Sequence, residues 1–129
     1  WVRPLTDILR EYYRQQDIAG MLEDQKIEIA PLAFMRGRTF KNAYIIADEM
    51  QNATPAQCKM LMTRIGEGSK IVITGDIEQA DRTKGNNGLA DLCKRLLKGG
   101  VNGIAVCELD SRDIQRHRII DSVLRLYSD

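Results

Sequence analysis

The apolar positions of this chain change their period several times, and each change marks a new element. Leu5, Ile8, Leu9, Tyr12 and Tyr13 fall at helical spacing behind Pro4, which predicts an amphipathic helix over residues 5–15. A polar stretch with a second short helix over Ile18–Leu22 leads to Lys26–Ala30, where Ile27 and Ile29 share one face of a short strand. Pro31 to Asn42 reads as loop. Ala43-Tyr44-Ile45-Ile46-Ala47 is then a continuous apolar run that stops abruptly at Asp48-Glu49, the pattern of a strand buried on both faces of a sheet.

The second half repeats this alternation. Thr54 is a natural N-cap, Pro55 suits the first helical position, and Gln57 completes a capping box. Cys58, Leu61, Met62 and Ile65 form the inner stripe of that helix, and Gly66 or Gly68 ends it. Lys70–Thr74 is a second buried strand, terminated by Gly75-Asp76, and a polar, Gly-rich loop runs from Ile77 to Gly88. Leu89, Leu92, Cys93, Leu96 and Leu97 give a helix closed by Gly99-Gly100, and Ile104-Ala105-Val106 reads as a third core strand. Asp110 or Ser111 caps a last helix with Ile120, Val123, Leu124 and Tyr127 on its inner face. Strand and helix alternating at this pace predict an α/β fold with right-handed crossovers and a mostly parallel sheet covered on both faces, a three-layer α-β-α sandwich. No repeat or linker divides residues 1–129, which read as one domain.

Composition narrows the classes. With 43% hydrophobic and 29% charged residues in 129, the chain is neither disordered nor fibrous, and it is long enough to need no disulfide or metal staple. The net charge is +1, so any contact with nucleic acid must come from a local patch. Cys58, Cys93 and Cys107 are odd in number and lack C-x-x-C spacing, which predicts buried free thiols in a reducing cytoplasm and argues against zinc. No apolar run approaches a membrane span and no signal-peptide pattern opens the chain, so no membrane partner is expected. The first residue is Trp1 rather than Met, which suggests a piece of a longer protein.

The chemistry is expected where the strands end. In a parallel sheet, ligands bind outside the carboxyl ends of the strands. Two strands stop there in acidic residues, Asp48-Glu49 and, after Thr74-Gly75, Asp76. Four apolar residues followed by Asp-Glu is the layout of a Walker B element, in which one carboxylate holds Mg²⁺ and its neighbour orients or deprotonates the attacking water. Alone, so short a pattern more often begins a solvated loop, and Gly75-Asp76 alone is an ordinary turn. Together they make coincidence a poor explanation. Gln79 lies three residues beyond Asp76, well placed to sense a γ-phosphate or its water, and Gly75 lets backbone approach a nucleotide.

Four segments carry a resemblance. Ile29-Ala30-Pro31-Leu32-Ala33-Phe34-Met35-Arg36-Gly37-Arg38-Thr39, Ile46–Thr54 with its Asp48-Glu49-Met50-Gln51-Asn52, Leu61-Met62-Thr63-Arg64-Ile65-Gly66 and Val72-Ile73-Thr74-Gly75-Asp76 together resemble the PhoH-like family. These are phosphate-starvation-type P-loop ATPases with a RecA-like core similar to the first motor domain of superfamily 1 helicases. Arg3-Pro4-Leu5 and Asp113-Ile114-Gln115-Arg116-His117 also fit, so the resemblance covers nearly the whole chain. Met50 and Ala47 depart from the family's usual residues without removing a group the chemistry needs. The resemblance implies ATP as substrate and Mg²⁺ as cofactor, with Asp48 as the metal-associated carboxylate and Glu49 as the base. Asp76 and Gln79 would belong to the motif sensing the γ-phosphate. Arg116 would stabilise transition-state charge, in trans if the protein assembles as a homo-oligomeric ring, with Arg112 as a second candidate; a solvated helix-start arginine is the other reading.

Half of such a site is missing from the sequence. No G-x-x-x-x-G-K-[ST] occurs, and Gly85-Asn86-Asn87-Gly88 reads as a flexible turn. The expectation is that the P-loop lies upstream, in a parent protein that hydrolyses ATP, and that this 129-residue chain alone is inactive. The alternative is a non-catalytic nucleic-acid- or protein-binding module that keeps the sheet without a working phosphate site. A helicase proper would need a second motor domain. Arg36, Arg38 and Lys41 form a small basic cluster suited to RNA or single-stranded nucleic acid, although arginines making local hydrogen bonds are the slightly favoured reading there. His117, the single histidine, reads as a helix-surface or partner-contact residue.

Overall fold

The structure is a computed structural model that describes residues 3–78 and 87–127. It divides into two compact units, one running to Leu92 and the other beginning at Cys93.

The first unit opens with helices α1 (Arg3–Tyr12) and α2 (Gln15–Glu23). Helix α1 starts ahead of the expected boundary because Pro4 is tolerated in a first turn, where its missing N–H has no partner to lose. The strand expected over Lys26–Ala30 does not form. Gln25 takes a left-handed conformation (φ +56°) and the Ile27 N–H turns back to the carbonyl of Met21 at 3.0 Å, so the segment closes α2 instead of entering a ladder. Leu32–Phe34 is a 3₁₀ turn inside the expected loop, and it delivers Met35 to the core.

The sheet consists of two parallel strands, β1 (Tyr44–Ala47) and β2 (Lys70–Ile73), in the register Tyr44↔Lys70 to Ala47↔Ile73. Their approach is prepared upstream. Phe40 pairs with Ile65, and Gly66 donates to the Phe40 carbonyl at 2.7 Å. The Ser69 hydroxyl donates to the same carbonyl at 2.8 Å while accepting from the Ala43 N–H at 3.0 Å. Burial along β1 alternates: Tyr44 and Ile46 are 66% and 47% exposed, whereas Ile45 and Ala47 are half-buried. The expectation of burial on both faces is thus corrected to burial on one, as the two-residue period of a strand dictates when a single face meets the core.

Between the strands runs α3 (Pro55–Met62), capped as its sequence prescribes. The Gln57 N–H donates to the Thr54 hydroxyl at 3.2 Å and the Thr54 N–H to the Gln57 side chain at 2.9 Å. The core gathers around this helix: Ile18, Met35, Met50, Ala53, Cys58, Leu61 and Leu89. Helix α4 (Gly88–Gly99) begins against it. A Cβ on Gly88 would stand 2.5 Å from the Thr54 carbonyl oxygen and 2.7 Å from Cys58 Sγ, so this glycine is a close-packing residue rather than the end of a turn.

The second unit holds the end of α4, an irregular segment, a 3₁₀ turn (Ser111–Asp113) and α5 (Arg118–Leu126). The third strand expected at Ile104–Val106 is absent: the Ile104 N–H turns back to Val101 at 3.1 Å, and no strand pairs with this run among the described residues. An apolar run becomes a strand only where another backbone takes up its N–H and C=O groups. Asp110 caps the 3₁₀ turn, and α5 starts later than expected, with His117 Nδ1 accepting from the Ile119 N–H at 3.3 Å. Ile120, Val123, Leu124 and Tyr127 remain exposed, as does Cys107, contrary to the expected inner face and buried thiol. Cys58 is buried and Cys93 partly so, and burial pushes the Cys93 thiol up, with the nearby Glu108 charge adding to it.

Candidate functional site

Parallel pairing brings the carboxyl ends of β1 and β2 to one edge. The Thr74 N–H continues the ladder to the Ala47 carbonyl at 2.9 Å, and the Met50 N–H crosses to the Thr74 carbonyl at 3.0 Å. Asp48 therefore stands beside Thr74. Its Oδ1 accepts from the Thr74 hydroxyl at 2.6 Å and from the Glu49 N–H at 3.0 Å. Among the described residues no donor is engaged with the other oxygen, Oδ2, and the residue is exposed.

Glu49 sits in the left-handed region (φ +56°, ψ +37°), a conformation that costs an L residue about 1–2 kcal/mol. The reversal sends Asp48 and Glu49 in different directions and drops Met50 and Gln51 into the interior through the 3₁₀ turn Met50–Asn52. Met50, one of the two departures from the family pattern, fills core volume.

Gln51 is only 4% exposed, and it joins the two strand tips. Its Nε2 donates to Glu49 Oε2 at 2.5 Å, and its Oε1 accepts from the Asp76 N–H at 3.1 Å. Gly75 makes room for that amide: a Cβ there would overlap Gln51 Oε1 and stand 2.7 Å from Leu89 Cδ2. The Asp76 carboxylate folds over its own loop, Oδ1 accepting from the Glu78 N–H at 2.9 Å. Asp48, Glu49, Gly75 and Asp76 thus belong to one edge of the first unit. Gln79 lies outside the described residues. Arg116 is exposed in the second unit, and Arg112 forms an ion pair with Asp110 at 2.6 Å that holds the aspartate below its usual range.

No group of three or more His, Cys, Asp or Glu side chains is arranged to hold a metal among the described residues. A magnesium ion does not call for such a group, because it keeps most of its waters and takes one or two carboxylates plus phosphate oxygens rather than an all-protein cage. Asp48, with one oxygen anchored and the other uncommitted, fits such a part.

The basic cluster is partly committed elsewhere. Arg38 makes a two-pronged ion pair with Glu28, at 2.5 and 2.9 Å, and its guanidinium lies 4.6 Å from the centre of the Phe40 ring. Arg36 and Lys41 are exposed. In the sequence Gln51 stands out only as part of the Asp48-Glu49-Met50-Gln51-Asn52 motif. Its signal was an amide placed two residues beyond Asp-Glu, but its burial depends on the left-handed turn at Glu49, which local sequence does not announce.

An α/β unit with acidic tips on neighbouring parallel strands, tied together by a buried amide, is the class that this geometry defines. The sequence profile described as PhoH-like protein matches residues 1–128, and the chain belongs to that family. It is 48% identical over 128 residues to the PhoH-like protein of Bacillus subtilis (strain 168), a match covering 98% of this chain and 40% of that protein. To the PhoH-like protein of Synechocystis sp. it is 44% identical, covering 98% of this chain and 38% of that one. Protein PhoH of Escherichia coli (strain K12) is 38% identical, with 99% and 36% covered. The chain spans about two-fifths of the length of these curated relatives. No helix among the described residues is long and apolar enough to cross a membrane.

Proposed function

We propose that this chain is the Walker B portion of a Mg²⁺-dependent P-loop ATPase of PhoH type, its two strands belonging to a larger three-layer α-β-α sandwich. The β-phosphate cradle and its lysine come from a segment outside these 129 residues. Asp48 is the carboxylate that would hold the magnesium, which when bound neutralises charge on the phosphate oxygens. The Thr74 hydroxyl fixes one carboxylate oxygen of Asp48 and leaves the other for the ion or its waters. Glu49 receives the proton of the attacking water, Gly75 lets backbone approach the nucleotide, and Asp76 and Gln79 belong to the motif that senses the γ-phosphate. Arg116 adds positive charge to a transition state on a neighbouring subunit's nucleotide.

The observation that carries this reading is a pair of links between the residues that follow β1 and those that follow β2, Asp48 to the Thr74 hydroxyl and Glu49 through the buried Gln51 amide to the Asp76 N–H. A solvated loop has no need of a buried amide joining two acidic tips. The test is Glu49→Gln in the full-length natural protein. Turnover is expected to fall by about 10²–10⁴-fold while nucleotide is still bound, and retained turnover removes Glu49 from the base role.

A further inference from the structure

Gln51 is a polar side chain inside a core otherwise made of apolar groups. Burying an amide is tolerated only when its donors and acceptor find partners, and both ends of this one are used, each on a different strand tip. The orientation follows from chemistry. A carboxylate can only accept and a backbone N–H can only donate, so Nε2 must face Glu49 and Oε1 must face Asp76. Rotating the amide by half a turn would set oxygen against carboxylate and NH₂ against N–H, two repulsions in place of two bonds. Met50 and the 3₁₀ turn hold the stem of Gln51 in the core, whereas the Glu49 side chain is exposed. The buried partner therefore positions the exposed one.

We propose that Gln51 is a positioning residue for Glu49. It restrains the carboxylate to one orientation, and it makes that orientation conditional on the β2 tip, because the same amide is anchored by the Asp76 N–H. A displacement of Asp76 loosens the amide and with it the Glu49 carboxylate, so the two strand tips respond as a pair. This inference rests on Glu49 being the base for water.

A double-mutant cycle in the full-length natural protein tests it, reading steady-state ATP turnover, affinity for a fluorescent ATP analogue and thermal unfolding. Gln51→Glu is isosteric: it keeps an acceptor for the Asp76 N–H and replaces only the donor to Glu49. Its kcat is expected to fall about 10- to 100-fold, the cost of a misplaced catalytic group, with KM and analogue affinity changed by no more than about twofold. In a Glu49→Gln background the same change is expected to remove nothing more. Gln51→Leu, which breaks both bonds without adding charge, goes through the same cycle in case a buried second carboxylate unfolds the protein. Unchanged kcat in the Gln51 variants, alongside a collapsed Glu49→Gln, overturns this inference and leaves the ATPase reading standing. An equal loss in both backgrounds also overturns it, since Gln51 then acts independently of Glu49. Full turnover by Glu49→Gln overturns the base assignment and this inference with it.

Discussion

Arg38 shows how one side chain can carry two readings that only its neighbours separate. Its guanidinium grips both oxygens of Glu28 and lies over Phe40. The hydrogen bonds from Arg38 hold the Glu28 carboxyl below its usual value. A carboxyl depressed in the folded state favours folding above its unfolded value, and that contribution disappears as pH falls through the lowered folded value. Arg38→Ala should therefore move the Glu28 midpoint upward toward the ordinary glutamate range, followed by NMR titration of the side-chain carboxyl; an unmoved midpoint would show that the pair does not persist in solution. The pair is exposed, so its contribution to stability is small. Glu28 and Arg38 are ten residues apart, and nothing in their local sequence announces the pairing. Asp48 and Glu49 were legible because they follow an apolar run at once. Gln51 was not, since its importance depends on a turn and on a partner 25 residues away.

A helix start specified by its own side chains is readable, whereas an apolar run becomes a strand only where a partner backbone meets it, as at β1 and β2. Helix α3 belongs to the first kind: Thr54, Pro55 and Gln57 specify its start, and the capping box is present. Thr54→Ala leaves the Gln57 N–H without its acceptor, and is expected to cost about 0.5–2 kcal/mol, measured by urea unfolding as a lower midpoint with an unchanged slope. No loss of stability would mean that the cap is idle. Ile104–Val106 belongs to the second kind, because its apolar run lacks a pairing backbone among the described residues. Lys26–Ala30 failed for a local reason instead: the Ile27 N–H was claimed by α2. The pattern of β1 identified a strand correctly but overstated its burial, since apolar sequence reports what could be covered rather than what covers it.

At the scale of the whole molecule, the chain presents acidic strand tips, and its sequence carries no G-x-x-x-x-G-K-[ST] to cradle phosphates. Carboxylates alone repel a nucleotide triphosphate, and attraction depends on backbone N–H groups, a lysine and the metal acting together. The 129-residue chain by itself is accordingly expected to bind Mg-ATP too weakly for calorimetry to register at micromolar protein and to hydrolyse it negligibly. Robust hydrolysis by the isolated chain would refute the division of labour proposed above.

The parallel register is set at one end of the strands and used at the other. Ser69 and the Phe40–Ile65 pair align the chain where β1 and β2 begin, whereas Asp48 and Thr74 meet where they finish. Each residue of strand advances about 3.3 Å, so slippage by a single step at the entrance would carry the far end past its 2.6 Å handclasp entirely. A serine with no chemistry of its own, together with the Phe40–Ile65 pair, helps bring two distant oxygens into line.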